Sequence, residues 1–261
     1  MCRFLAYIGE PVFLNSLVCE PAHSLLHQSL QAERAKTVTN GDGFGIGWYG
    51  EREAPAVYRE VMPAWSDENL LALCHTLRSP LFFAHVRAAT GTAIARQNSH
   101  PFRYSRWMFM HNGQIGGYAQ VRRTLEARLP DELYAGRKGA TDSELLFLLA
   151  LAEARSGLPI TDAVAKVFED TIALMHERGI DQPLRFSAAL ADGNNLHVFR
   201  LASDDEPPSL YVQRGRRGTA VARRPRLVPQ DPLGPRRRGP PVHFLELLRG
   251  SRPDAQAGDL P

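Results

Sequence analysis

A cysteine at the second position is the residue of this chain best suited to covalent chemistry. In the opening Met1-Cys2-Arg3, removal of the initiator methionine would leave Cys2 with both a thiol and a free α-amino group. An α-amine titrates at about 7.7–8.0, so a fraction is neutral at cellular pH and can accept the thiol proton. An N-terminal residue can thereby act as nucleophile and base together. The structural alternative is that Cys2 is a small apolar residue leading into a strand.

The tripeptide His111-Asn112-Gly113 offers hydrogen-bond donors for an oxyanion. It directly follows an apolar run predicted to be a buried strand, 107–110. An amide side chain beside a glycine N–H supplies two neutral donors, which is what an oxyanion hole requires. The alternative is that Asn-Gly is simply a turn dipeptide.

An arginine and an acidic tetrapeptide could bind the two charged groups of an amino acid. Arg87 follows the apolar run 81–86, and a guanidinium there can hold a carboxylate with two parallel hydrogen bonds. It could equally face solvent or pair with a structural acid. Thr141-Asp142-Ser143-Glu144 has the pattern of a capping box, with Asp142 as a first-turn acid that complements the helix dipole. A carboxylate at such a rim could also bind an ammonium group.

Metal and nucleotide chemistry have weaker support. His85, His100 and His111 could suggest a metal site, but they lack a helical H-x-x-x-H spacing, and we interpret them as structural or pocket-lining. The chain has no phosphate-binding glycine motif of the P-loop or dinucleotide type. We therefore predict no metal and no cofactor.

The elements that must position these residues run from strands to helices and back to strands. Strands are predicted over 3–8, 57–61, 81–86 and 107–110, with a glycine-rich turn, Asn40 to Gly47, entering another strand. Its glycines suit positive φ angles or the close approach of a ligand. Helices are predicted over 23–35, 67–77, 117–129, 141–153 and 160–175, before a hairpin of 184–190 and 197–201. This order predicts a layered α+β domain rather than alternating βαβ units.

Composition and charge narrow the class of protein. The 261 residues carry three cysteines without a C-x-x-C spacing, which argues against a disulfide framework and fits a reducing compartment. The first apolar run is too short for a signal or membrane segment, so we predict a cytoplasmic protein without a membrane partner. Nine arginines fall between Arg214 and Arg238, and eight of the 19 prolines fall between Pro207 and Pro241. That segment is predicted to be irregular.

Six motifs in order resemble those of class II glutamine amidotransferase domains, which are N-terminal nucleophile hydrolases. The motifs are Met1-Cys2-Arg3, Asn40 to Gly45, His85-Val86-Arg87-Ala88, Asn98-Ser99-His100-Pro101-Phe102, His111-Asn112-Gly113 and Thr141-Asp142-Ser143-Glu144. The resemblance implies a four-layer αββα sandwich over residues 1–205, followed by an atypical segment, 206–261. Within the family, the chain looks closest to small stand-alone bacterial members and to a fungal subunit of glutathione breakdown. The γ-glutamyl hydrolases of ergothioneine synthesis are more distant.

The resemblance also implies a role for each candidate residue. Cys2 would attack a γ-glutamyl carbonyl and form a thioester, with Asn112 and the N–H of Gly113 stabilising the oxyanion. Arg87 would bind the substrate α-carboxylate and Asp142 the α-ammonium group. His111, Asp42 and Gly43 would line the substrate pocket.

Several alternatives remain open from the sequence. The chain could be a γ-glutamyl hydrolase in its own right or the glutaminase half of a complex with an acceptor or peptidase partner. It could also be a binding protein that uses the fold without catalysis. Nucleic acid is disfavoured as a partner, because the chain outside residues 214–238 has an excess of acidic over basic residues. The arginine-rich end could be a basic tail for an acidic partner, or the product of a reading-frame error, which we hypothesise.

Overall fold

Two antiparallel sheets form the centre of the protein in a computed structural model that describes residues 2–30, 41–89, 92–204, 206–222 and 243–248. The first sheet has the strand order β3-β2-β4-β1-β10-β9. Its strands are β1 (Arg3–Phe13), β2 (Phe44–Trp48), β3 (Ala56–Glu60), β4 (Arg78–Val86), β9 (Tyr211–Gly215) and β10 (Gly218–Ala222). The second sheet has the order β11-β8-β7-β6-β5. Its strands are β5 (Phe102–Tyr104), β6 (Trp107–Gln114), β7 (Arg185–Ala191), β8 (Asn195–Ala202) and β11 (His243–Leu248).

Helices cover the outer face of each sheet. The first sheet is covered by α1 (Asn15–Val18), α2 (Leu25–Leu30) and α3 (Glu68–Thr76). The second is covered by α4 (Tyr118–Glu126), α5 (Asp131–Gly136), α6 (Asp142–Arg155) and α7 (Ile160–Glu177). The inner faces pack on each other through an apolar cluster that includes Phe4, Phe83, Met108 and Met110. The four layers are therefore α, β, β and α, which confirms the predicted αββα sandwich.

Alternation along the strands separates the two sides of each sheet. On β1, Phe4, Ala6 and Ile8 face the other sheet, while Leu5 and Tyr7 face the helices. On β6, Met108 and Met110 face inward, and Phe109 faces the helices. Side chains alternate along a strand with a period of two. The even-numbered residues of β1 up to Ile8 and of β6 up to Met110 therefore point into the space between the sheets.

The helix α6 is the most deeply buried element. Every residue from Ser143 to Leu151 is buried, and the run from Leu145 to Leu151 is apolar throughout. It packs between the second sheet and α7, which presents Val164, Val167 and Phe168 to the same cluster. A helix that is apolar on all sides fits only in such a position, and its N-terminus is consequently held rigidly beside β6.

The C-terminal segment departs from the prediction of irregular structure. The hairpin of β9 and β10 extends the first sheet, and β11 pairs with β8 from His243↔Arg200 to Leu248↔Asn195. The expectation was therefore wrong for 211–222 and 243–248. These strands form because β1 and β8 present open edges for them, information that the composition of the segment does not contain. The domain boundary at residue 205 stays a prediction, and the reading-frame hypothesis falls mostly on 223–242 and 249–261, outside the described residues.

Other differences are local. The strand β6 runs through His111, Asn112 and Gly113 rather than stopping before them. The predicted helix over 23–35 is described only as far as Leu30, and Met1, Asn40 and Thr90 also lie outside the described residues. Within the part of the chain that the structure describes, none of the helices combines the length and apolar composition needed to cross a membrane.

Candidate active site

The thiol of Cys2 lies at the end of a central strand, against the backbone of Ala88. Its Sγ donates to the Ala88 carbonyl at 3.3 Å and accepts from the Ala88 N–H at 3.3 Å. The pairing Arg3↔Val86 between β1 and β4 brings Cys2 to the residues that follow β4. The side chain is half-buried, so the thiol is fixed in position while a small molecule can still reach it.

The amide of Asn112 connects the second sheet to the nucleophile. Its Nδ2 donates to the backbone carbonyl of Cys2, and its side chain is buried. Asn112 faces inward because it follows Met108 and Met110 at the inward-facing period of β6. A neutral hydrogen-bond donor of the second sheet therefore reaches, across the gap between the sheets, the backbone of the residue that bears the thiol.

Gly113 continues the same strand, where close packing excludes a side chain. A Cβ here would collide with the carbonyl of Arg185 on β7 and would lie 2.6 Å from Nε2 of His111. β5 pairs with β6 only as far as Phe109. Within the described chain, no strand of the second sheet pairs with the other edge of β6 from Met110 onward.

The guanidinium of Arg87 is buried, and its two terminal nitrogens differ in their hydrogen bonding. Nη2 donates to Thr92 Oγ1 at 2.8 Å and to the Ala93 carbonyl at 3.2 Å. Nη1 is buried and has no hydrogen-bond partner within the described residues. Burial lowers the pKa of Arg87, whereas Cys2 and Asp42 act to raise it. One arm of the guanidinium is thus anchored and the other is free for an anion.

Asp42 and Gly43 hold the backbone around Arg87. The Gly43 carbonyl accepts from the Arg87 N–H at 2.8 Å, and Asp42 Oδ2 accepts from the Ala89 N–H at 2.8 Å. Gly43 has a φ of +117°, which confirms the predicted positive φ at this glycine. These contacts join the start of β2 to the segment after β4, so both residues lie beside Arg87; that they line a substrate pocket stays a prediction.

Asp142 begins α6 and ties it to the end of β6. Its Oδ2 accepts from the Ile115 N–H at 2.9 Å, and Oδ1 accepts from the Ser143 N–H at 2.8 Å. Thr141 is the N-cap, and its side chain accepts from the Glu144 N–H at 3.1 Å. Glu144 accepts from the N–H groups of Lys138 and Gly139, so the second half of the predicted capping box closes on the preceding loop rather than on Thr141.

The imidazole of His111 faces away from Asn112. Nδ1 lies 2.8 Å from Ser143 Oγ, and the ring packs 4.7 Å from that of Phe186, between centroids. The alternation of side chains along β6 puts His111 on the helical side of the sheet when Asn112 is on the inner side. Direct contact of His111 with a substrate stays a prediction, and this placement favours a supporting position instead.

His85 and His100, interpreted from the sequence as structural or pocket-lining, form a close pair of rings, and His85 lies two positions before Arg87 in the chain. The rings of His85 and His100 lie 4.3 Å apart between centroids. Both are buried, and neither ring nitrogen of either residue makes a hydrogen bond within the described residues. Burial, with smaller effects of Arg87 and His111, lowers the pKa of His85 to about 3. Burial and then the neighbouring His85 also lower the pKa of His100 well below its ordinary value.

The glycine-rich strand β2 provides the surface on which His100 lies. A Cβ on Gly45 would overlap the His100 carbonyl, so only glycine allows this approach. The glycine-rich pattern predicts positive φ angles or the close approach of a ligand, whereas at Gly45 the close neighbour is the backbone of His100. Among the residues that the structure describes, no group of three His, Cys, Asp or Glu side chains could hold a metal ion.

The comparisons with known proteins agree with this geometry. The family model for class II glutamine amidotransferases matches residues 14–214. A probable glutamine amidotransferase of Saccharomyces cerevisiae is 39% identical over 161 residues, which is 58% of this chain and 45% of that protein. A γ-glutamyl-hercynylcysteine sulfoxide hydrolase of Mycolicibacterium smegmatis is 36% identical over 117 residues, 44% of this chain and 52% of that protein. The chain therefore spans about half the length of these relatives.

A solved structure extends the match over most of the chain. The glutamine aminotransferase class-II domain protein from Silicibacter pomeroyi superposes with a TM-score of 0.67 at 38% identity. The superposition covers 85% of this chain and 88% of that one. The likeness in fold therefore extends over most of both chains.

Proposed function

The chain belongs to the class II glutamine amidotransferases, and from that premise we propose that it hydrolyses a γ-glutamyl amide through a thioester on Cys2. The observation that carries the proposal is the hydrogen bond from the Asn112 amide, across the gap between the sheets, to the backbone carbonyl of Cys2. A thiol attacking a carbonyl needs a neutral donor at this place, because the carbonyl oxygen becomes an anion in the transition state.

The proposed reaction begins at the N-terminus. Removal of Met1, which lies outside the described residues, frees the α-amine of Cys2 to take the thiol proton. The thiolate attacks the γ-glutamyl carbonyl, and Asn112 with the Gly113 N–H stabilises the oxyanion. The tetrahedral intermediate collapses to a thioester, and the leaving ammonia or amine takes the proton. Water then attacks the thioester, which releases glutamate and regenerates the thiol.

Recognition of the substrate would rest on its free amino-acid head group. The open Nη1 of Arg87 is suited to the α-carboxylate, since a guanidinium binds a carboxylate through charge-assisted hydrogen bonds. Asp142 would accept from the α-ammonium group, and Asp42 and Gly43 would shape the pocket around Arg87. A peptide bond within a protein chain lacks both free groups, so this selection explains a preference for γ-amides of small molecules.

The similarity to γ-glutamyl-hercynylcysteine sulfoxide hydrolases favours a second candidate, a γ-glutamyl compound of thiol metabolism in place of glutamine. The two candidates share one chemistry and differ in the leaving group. We propose a cytoplasmic location and, if glutamine is the substrate, a partner protein that receives the ammonia. Activity on a γ-glutamyl thiol by the protein alone would make such a partner unnecessary.

The test uses the purified protein with Cys2→Ala and, as a matched control, Cys19→Ala. Glutamate release from glutamine and from γ-glutamyl thiols is measured, and intact mass is recorded before and after 6-diazo-5-oxo-L-norleucine. We expect loss of Met1, one adduct on Cys2, and a loss of activity of at least about 10³-fold in Cys2→Ala. Cys19→Ala should keep its activity, because Cys19 lies at the end of α1 on the helical side of the first sheet. A processed protein without adduct or activity would favour the non-catalytic alternative.

A further inference from the structure

The buried side chain of Asn98 joins two backbone segments that are distant in sequence. It is 3% exposed and ends the short 3-10 turn Arg96–Asn98. Nδ2 donates to the Ala93 carbonyl at 3.0 Å, and Oδ1 accepts from the Ala140 N–H at 2.9 Å. The orientation of the amide is determined by these partners, since a carbonyl requires the NH2 group and an N–H requires the oxygen.

One end of this link holds Arg87. The Ala93 carbonyl that accepts from Asn98 also accepts from Nη2 of Arg87 at 3.2 Å. The neighbouring Thr92 side chain accepts from the same Nη2 at 2.8 Å. Fixing the Ala93 carbonyl therefore fixes the rotation of the guanidinium, and with it the direction of the unpaired Nη1.

The other end of the link holds the start of α6. Ala140 is followed directly by the N-cap Thr141 and by Asp142. The loop before Ala140 is held in turn by Glu144, which accepts from the Gly139 N–H at 2.6 Å. A shift of Ala140 would therefore move Asp142 relative to the loop that holds Arg87.

We infer that Asn98 is a positioning residue that sets the carboxylate-binding and ammonium-binding halves of the head-group site in register. The inference rests on the proposed function, in which Arg87 and Asp142 bind these two groups. A substrate that carries both groups gains from a fixed spacing between their partners. A substrate that carries only one of them does not need that spacing. Asn98 thus acts on the selection of substrate rather than on the reacting bond.

Three amides separate these effects. Glutamine has both head groups, glutaramate lacks the α-ammonium group, and 4-aminobutanamide lacks the α-carboxylate. Values of kcat/KM are measured for each with the wild type, Asn98→Ala, Asn98→Asp and the exposed neighbour variant Gln97→Ala as control. The rate of alkylation of Cys2 by iodoacetamide reports the nucleophile without any head group.

In Asn98→Ala we expect the preference for glutamine over both truncated amides to fall roughly tenfold. The fall should come mainly from a higher KM for glutamine. A roughly tenfold effect lies within the range of coupling for residues that share a hydrogen-bond network. Rates on the truncated amides and alkylation of Cys2 should stay within about twofold, the residual scatter of independent sites. Asn98→Asp keeps the acceptor for Ala140 but loses the donor to Ala93. Because the link is then broken at one end, the preference of this variant for glutamine over both truncated amides should also fall.

An equal loss on all three amides would overturn the inference, because it would show a general effect on the fold or the nucleophile. Failure of both variants to fold would also count against it, since the role assigned to Asn98 concerns the site rather than stability. If the wild type itself cleaves none of the amides, the proposed function fails first, and that outcome is distinct from an unchanged preference in an active enzyme.

Discussion

The two ends of the space between the sheets differ in how far their buried polar groups are satisfied by hydrogen bonds. At the end near the β7–β8 turn, Ser79 Oγ lies 2.8 Å from the Tyr49 carbonyl, and the Tyr49 hydroxyl lies 2.8 Å from the Arg106 carbonyl and 2.9 Å from that of Ala191. At the Cys2 end, Arg87 Nη1 and the ring nitrogens of His85 and His100 have no partner within the described residues.

This contrast separates polar groups that build the fold from those that are available to a ligand. A buried polar group without a partner costs about 1–3 kcal/mol, so a fold retains several of them together only where something else compensates. At the Tyr49 end the hydroxyls of Ser79 and Tyr49 are satisfied by backbone carbonyls. Arg106 Nε has no partner there within the described residues, but the same guanidinium donates to Asp192 through Nη2 at 3.0 Å. At the Cys2 end, where five such atoms belong to Arg87, His85 and His100, the compensation would come from bound substrate or water.

Removal of the Asn112 amide should give the largest effect on the Cys2 end. Asn112→Ala is expected to lower kcat by ~10²–10³, the loss found when one oxyanion donor is removed. The matched control is Asn195→Ala at the opposite end, where the Asn195 amide donates to Asp192 at 3.1 Å; it should leave kcat unchanged. Steady-state glutamate release measures both. Equal losses of kcat in the two variants would contradict the difference between the two ends.

Acid should destabilise the protein through the histidine pair. The folded pKa of His85, about 3, lies below the ordinary value of 6.5, and that of His100 is lowered as well. Between these values the unfolded chain binds more protons than the folded chain, so the free energy of unfolding falls as the pH decreases. The fall is at most about 1.4 kcal/mol per pH unit for each histidine, and stability is fully present only above the unfolded pKa.

Denaturant unfolding at about pH 7 and about pH 5 measures this decline. His100→Leu should reduce the decline by about half, because one of the two groups no longer titrates. His23→Asn, at an exposed position, should unfold with the same pH dependence as the wild type. A wild type equally stable at both pH values would show that the pair is protonated or hydrated in the folded state.

The smallest effect is expected at the Tyr49 end. Tyr49→Phe removes a hydroxyl that lies between two carbonyls and should lower the free energy of unfolding by about 1 kcal/mol. The kcat should not change, because Tyr49 contacts neither Cys2 nor the residues around it in the described structure. Thermal or denaturant unfolding together with kcat measures both expectations. A change in kcat larger than the change in stability would mean that the two ends are coupled.

The sequence predicted the elements whose patterns are local. The apolar run 81–86 lies in β4, the face of 160–175 lies in α7, and the hairpin across Asp192-Gly193-Asn194 joins β7 to β8. Each rests on a period of two or 3.6 residues or on turn residues close together in the chain. The inward position of Asn112 also follows from alternation, once the strand is known to continue past Met110.

What the sequence did not predict depends on contacts between distant residues. The stacking of His100 on His85 requires the turn after Asn98 to lie over Gly45, and no local period encodes that. The link from Asn98 to Ala140 spans 42 positions. Likewise, β10 forms because β1 offers it an edge, despite the unfavourable composition around it. Tertiary pairing overrides local preference at all three places.

The pairing of β10 with β1 also affects whether incomplete or cleaved chains aggregate. β10 covers one side of the strand that begins after Cys2, from Leu5↔Ala222 to Gly9↔Gly218. Without residues 218–222, that side of β1 would present a row of unpaired N–H and carbonyl groups, which is a template for pairing with other chains. If translation stops before β10, or a protease cleaves the chain there, β1 would therefore become an exposed edge strand that can pair with other chains. By covering this edge, the hairpin of β9 and β10 protects β1, the strand that follows Cys2, against aggregation.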